Sequence, residues 1–222
     1  MGDAEQRTAG TMTLAEAAGP VDLALVLAVD CSGSVDDTDF GIQMAGIAAA
    51  LRHRALKDAI ASGKYKRIAI AVMLWSNEQT RVIALPWRVL AETSELEATA
   101  REIESIRHNL PPGGTALAAA IDHAAQLLAT APFAAERHTI DVSGDGWENK
   151  GGNPAKARDR AVAQGITING LPLTRGSKLL VGYYNAEVIG GPGAFVEPAE
   201  TVLQLPDAIL KKLLREIPQA VS

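Results

Sequence analysis

Val21 to Val29 is an almost unbroken apolar run, interrupted only by Asp22, and it stops at Asp30-Cys31-Ser32-Gly33-Ser34. A strand that is apolar at successive positions has to be covered on both faces. That is the situation of a central parallel strand between two helical layers. Where such a strand leaves the sheet, this chain places a carboxylate, two hydroxyls and a glycine. Carboxylate and hydroxyl oxygens are the donors a hard divalent cation prefers.

The rest of the chain repeats the theme. After Asp36, Asp37 and Thr38, acidic and hydroxyl residues that suit a helix N-terminus, a helix is expected from about Asp39 to Ala61. Arg67 to Trp75 reads as a second buried strand, and Thr80 to Leu85 returns as a short strand closed by Pro86-Trp87. The Ser76–Gln79 link is too short for a parallel crossover, which needs a dozen residues or more, so this pair is an antiparallel hairpin. Ser94 with Glu97 has the spacing of a capping box and opens a helix. Thr115 to Ala129 is an Ala/Leu-rich helix preceded by the loop Leu110–Gly114. Arg137 to Val142 is a third buried strand, ending at Ser143-Gly144-Asp145-Gly146. A helix over Pro154–Gln164, a strand over Ile166–Leu171, a short strand over Ala194–Glu197 and a helix within Pro198–Pro218 complete the series. The alternation predicts an α/β sandwich. Its mostly parallel central sheet has about six strands, one of them an antiparallel edge strand, with helices on both faces.

All of this lies in residues 21–218. Residues 1–20 read as an N-terminal tail, a tag or a replaced leader, with at most a short helix over Thr13–Ala18. That tail has neither a basic stretch nor a long apolar one, so as written it is not a signal peptide. The expected location is cytoplasmic on this sequence, and periplasmic or exported if a native signal peptide was replaced. No run approaches the roughly 20 apolar residues of a membrane helix.

Composition narrows the function. A net charge of −5, with Lys64-Tyr65-Lys66-Arg67 as the densest basic cluster, offers no broad basic face for nucleic acid. The single cysteine, Cys31, excludes a disulfide framework and a multi-cysteine metal site. Its reading is a small space-filler. His53, His108, His123 and His138 are scattered without metal-ligand spacing. A cysteine phosphatase loop would need Arg six positions after Cys31, where Asp37 stands. An aspartyl phosphotransferase would want a second Asp two positions after Asp30, where Ser32 stands.

In an open α/β sheet, ligands bind outside the carboxyl ends of the strands. Asp30–Ser34 and Ser143–Asp145 both lie at such ends, and Gly113-Gly114-Thr115 opens a helix on the same rim. Asp30, Ser32, Ser34, Thr115 and Asp145 together resemble the metal-ion-dependent adhesion site of von Willebrand factor type A domains. The order of elements resembles that fold too. More narrowly, the stretches around Val21–Asp30, Ile140–Gly146, Gly165–Gly170 and Val188–Phe195 are similar to an uncharacterised bacterial group of such proteins. The resemblance implies that Ser32, Ser34 and Thr115 ligate a divalent cation through their hydroxyls, and that Asp30 and Asp145 do so directly or through water. It implies Mg²⁺ or Mn²⁺, with Ca²⁺ as a further candidate. The module would bind proteins, the metal bridging to an Asp or Glu of a partner, and would not be an enzyme. Gly114, Trp147 and Asn149 are candidate partner contacts. The alternative is a Mg/Mn-dependent hydrolase or phosphotransferase at the same rim.

Overall fold

The computed structural model describes residues 19–111 and 113–217, so the helix expected over Thr13–Ala18 lies outside the described residues. Five strands form one sheet: β1 (Leu23–Asp30), β2 (Ile68–Trp75), β3 (Arg81–Leu90), β4 (His138–Gly144) and β5 (Ile166–Pro172). Their order is β3-β2-β1-β4-β5. The apolar run of β1 is therefore central. Val26 has Ala71 of β2 on one side and Ile140 of β4 on the other, both parallel. Among the five described strands, β2 and β3 are the pair that runs antiparallel.

β1 is buried along its whole length because its side chains alternate between two cores. Leu23, Leu25, Leu27 and Val29 face one layer. That layer contains α1 (Asp37–Arg52), α2 (Arg54–Ser62), α3 (Thr93–Ser105) and α7 (Leu205–Glu216). Ala24, Val26 and Ala28 face the other. It contains α4 (Leu117–Ala129), α5 (Pro154–Ala163) and α6 (Lys178–Tyr183). Asp22 interrupts the apolar run for a reason. Its buried carboxylate accepts from the backbone N–H groups of Tyr65 at 2.9 Å and Arg67 at 3.3 Å, closing the turn that feeds β2.

The sheet has five strands, not six. The segment expected as the last strand makes only isolated contacts with the sheet. Phe195 O accepts from Gly170 N, and Glu197 N donates to Gly170 O. Pro198 follows at once and has no N–H to extend the ladder. Element boundaries also differ from expectation. The long first helix is two helices, divided at His53, whose extended backbone (φ −70°, ψ 131°) ends α1 and whose Nδ1 accepts from Ala55 N at the start of α2. β3 continues through Pro86 to Leu90, because Pro86 sits on the outer edge, where the register against β2 shifts. Edge strands and bulges are where a sheet tolerates proline. The stretch holding Tyr183 and Tyr184 is helical, α6 running into a single wide turn over Tyr184–Val188. Among the described residues no helix is long and apolar enough to cross a membrane.

Candidate metal centre

β1 is the point at which the winding reverses: the chain goes from β1 to β2 on one side and later returns to β4 on the other. The carboxyl ends of β1 and β4 therefore flank a topological switch point, where an open α/β sheet leaves a crevice. Asp30 closes β1, and Asp145 follows Gly144, the last residue of β4.

The two ends are bonded to each other. Ser34 Oγ donates to Asp145 Oδ1 at 2.6 Å, and Ser32 Oγ lies 3.1 Å from Ser34 Oγ. Asp30 Oδ1 accepts from Ser32 N at 2.7 Å, which turns the chain back on itself. The third segment arrives through its backbone, Gly33 N donating to Gly113 O at 2.9 Å. Thr115 is buried, and its Oγ1 lies only 3.2 Å from where a β-carbon on Gly146 would stand. All five predicted ligand residues thus come from segments that meet on one rim.

The loop after Asp145 holds Thr115 in place. Asn149 Oδ1 accepts from Thr115 N at 2.9 Å, and Asn149 N donates to Thr115 O at 3.0 Å. Glu148 Oε2 accepts from Ala118 N at 2.9 Å in the first turn of α4. α4 starts at Leu117 rather than Thr115 because Thr115 N and Ala116 N are bonded outside the helix, to Asn149 Oδ1 and Ser76 O, while Glu148 satisfies Ala118 N in its first turn. Of the candidate partner contacts, Asn149 is thus committed to Thr115, and Gly114 N to Asn77 Oδ1 at 2.7 Å. Trp147 is exposed, its ring edge-on to Tyr183 with centroids 6.4 Å apart.

Burial dominates the electrostatics. Asp30 is 1% exposed, and its pKa is pushed up to about 7 from the usual 3.8, mainly by desolvation. The nearby Asp145 charge adds to the rise, and the Ser32 hydrogen bonds oppose it. Among the described residues Asp30 Oδ2, which is buried, finds no hydrogen-bond partner. The hydroxyl of Tyr184 is in the same position. Both flank Gly144, where an added β-carbon would come within 2.9 Å of Asp30 Oδ2 and 3.0 Å of the Tyr184 oxygen. A larger residue there would have to push one of these two buried oxygens aside. Cys31 is wholly buried, with burial pushing its thiol up to about 12, so it stays protonated and inert as a nucleophile.

The residues suit a hard divalent cation. Among the described residues, no group of three or more His, Cys, Asp or Glu side chains is arranged to hold a metal. What the rim offers instead is two carboxylates and three hydroxyls, an all-oxygen set matched to Mg²⁺ or Mn²⁺. The orphaned Asp30 oxygen is what such a set leaves when its cation is not counted, since buried polar atoms are otherwise paired. A cleft of about 20 Å³ lined by Asp30, Asp39, Gln43, Ser143 and Asp145 lies alongside, room for about one water.

Three further residues stand at the rim with no sequence pattern that places them there. Gln43 of α1 donates to Ser143 Oγ at 2.6 Å and braces the end of β4. Asp39, whose sequence reading is a helix-start charge, and Arg175, beyond β5, form an ion pair at 2.5 Å. Arg175 also reaches Asp145 Oδ2 at 3.3 Å.

The family model described as "Protein of unknown function (DUF1194)" matches residues 20–221. No curated protein sequence matches the chain. Solved structures do. Proximal thread matrix protein 1 from the mussel byssus, in a form described as having a zinc-occupied MIDAS motif, aligns with a TM-score of 0.62 at 13% identity. That alignment covers 88% of this chain and 48% of the byssus protein. A von Willebrand factor type A protein from Catenulispora acidiphila aligns at 0.58 and 18% identity, covering 89% and 43%. The vWF domain of the type V pili tip protein Mfa5 from Porphyromonas gingivalis aligns at 0.61 and 12% identity, covering 90% and 97%. The chain spans less than half the length of the first two of these structures. At these identities the likeness establishes a shared fold, that of the von Willebrand factor type A domain.

Proposed function

Since the chain belongs to the family described as "Protein of unknown function (DUF1194)" and has the von Willebrand factor A fold, we propose that it is a protein-binding module, adhesive or scaffolding, that works through a bound divalent cation. Ser32, Ser34 and Thr115 supply hydroxyl ligands, and Asp30 and Asp145 the negative charge. A metal held by so few charges remains electron-poor, and the chemistry it supplies is an open coordination position for an Asp or Glu carboxylate of a partner protein. Mg²⁺ or Mn²⁺ suits this role. The observation that carries the reading is the Ser34–Asp145 hydrogen bond, which draws the ends of β1 and β4 into one oxygen-lined rim at the switch point of the sheet.

The test is capture of partners on immobilised protein in Mg²⁺ or Mn²⁺. The expected result is capture that disappears with EDTA and with Asp30→Ala. Capture that survives both removes the metal bridge. The module is proposed to have no catalytic activity, so a panel of phosphate esters with Mg²⁺ or Mn²⁺ should show no turnover, and measurable hydrolysis lost in Asp30→Ala would reverse that assignment.

A further inference from the structure

Asp145 carries a feature that the adhesion-site pattern does not contain. Its side chain is only 2% exposed, and each of its oxygens has a partner: Ser34 Oγ on Oδ1, and the guanidinium of Arg175 on Oδ2 at 3.3 Å. The same Nη2 atom of Arg175 bonds Asp39 Oδ2 at 2.5 Å. The arginine is thus held between a carboxylate of α1 and a carboxylate of the candidate metal centre.

The backbone is bent to bring it there. Arg175 has φ +47°, in the left-handed region, and Gly176 follows at φ +86°. A side chain in that region is strained, and such strain persists where surrounding structure enforces it. Here Thr174 N donates to Ala199 O at 2.8 Å and Ser177 N to Thr174 O at 2.8 Å, pinning the turn on both sides of Arg175. Gly at position 175 would adopt this turn without strain.

We propose that Arg175 is a built-in counter-ion that competes with the metal for Asp145 and sets the affinity of the site. This rests on the divalent-cation reading above. A guanidinium on Asp145 brings the positive charge that a cation would bring, and the two repel each other at short range in a partly buried site. Cation binding draws Asp145 away from Arg175, while Asp39, the closer of its two partners, keeps the guanidinium at the rim. Wild-type affinity is therefore lower than the oxygen set alone would give.

The experiment is calorimetric titration of MnCl₂ into the full chain at low ionic strength, for the wild type, Arg175→Gln, Arg175→Gly and Arg175→Lys. The glycine variant guards against misfolding because it also relieves the turn. Arg175→Gln and Arg175→Gly are expected to bind Mn²⁺ at least about tenfold more tightly than wild type, and Arg175→Lys, which keeps the charge, within about threefold of it. Detectable binding only in the two uncharged variants supports the proposal equally. Equal or weaker binding in both uncharged variants overturns the counter-ion role and leaves the metal reading intact. No binding in any of the four chains overturns both.

Discussion

Lys212 is wholly buried on α7, and the company it keeps determines how the fold responds to pH. Its ammonium lies 2.8 Å from Asp141 Oδ1 in β4 and bonds Glu216 one turn later. Asn169 Nδ2 donates to the same Glu216 oxygen at 2.8 Å. One cation thus faces two carboxylates. Desolvation lifts Asp141 from its usual 3.8 to about 7; Lys212 pulls against that rise and Glu216 adds to it. Because the folded pKa lies above the unfolded one, the folded state holds a proton between about pH 4 and pH 7 that the unfolded state has released. Stability from this group is therefore full below pH 4 and falls as pH rises through that window, by up to a few kcal/mol. Urea denaturation from pH 4.5 to 8 should show that fall in the wild type and a flatter profile in Asp141→Asn, which cannot ionise. Parallel profiles would show that Asp141 does not titrate in this range. Lys212→Met should cost about 3–5 kcal/mol near neutral pH, because it strands the two carboxylates. None of this is legible in the sequence, where Asp141 looks like a polar interruption in an apolar strand and its partner lies on the last helix. The candidate ligand residues were legible because they are marked by strand ends and glycines. Arg175 was not, because it is placed by a strained turn and an ion pair with no local pattern.

At the scale of the element, α1 shows what a local signal can and cannot say. Asp36 caps it, its Oδ1 accepting from the N–H groups of Thr38 and Asp39 at 2.8 Å each. The acidic cluster at Asp36, Asp37 and Asp39 announces that start in the sequence. The end was missed, because the apolar periodicity runs on through His53 into α2 while the backbone does not. β3 was cut short for a related reason: Pro86 is a reliable stop inside a sheet but not on its outer edge. α4 has no side-chain cap of its own; the loop carrying Glu148 and Asn149 bonds Ala118 N in its first turn and Thr115 N just before it, a tertiary arrangement no spacing rule reveals. Asp36→Ala should lower stability by about 1 kcal/mol, the usual cost of a lost cap. The check is a drop in urea midpoint with an unchanged denaturant slope. An unchanged midpoint would mean that water or Asp37 replaces the cap fully.

For the whole molecule, the order β3-β2-β1-β4-β5 explains why the most buried strand delivers the most polar residues. A central strand can end in a carboxylate with no solvent only if neighbouring strand ends and a third loop close over it, as Ser34, Asp145 and Gly113 do for Asp30. The arrangement leaves the folded chain with a cost: a buried Asp30 oxygen without a partner, beside a second carboxylate. If the proposed cation binds there, it offsets that cost only in the folded state, since the three segments are far apart in the unfolded chain. Linkage then requires the ion to raise stability, by about 2.7 kcal/mol at a free concentration one hundred times its dissociation constant. For a chain of 222 residues this corresponds to a rise in melting temperature of roughly 5–10 °C. Thermal melts in saturating MnCl₂ should show that rise, EDTA should reverse it, and Asp145→Ala should show none. Identical melts with Mn²⁺ and with EDTA would mean that the rim is closed by its own hydrogen bonds and by Arg175, with no place kept for a metal.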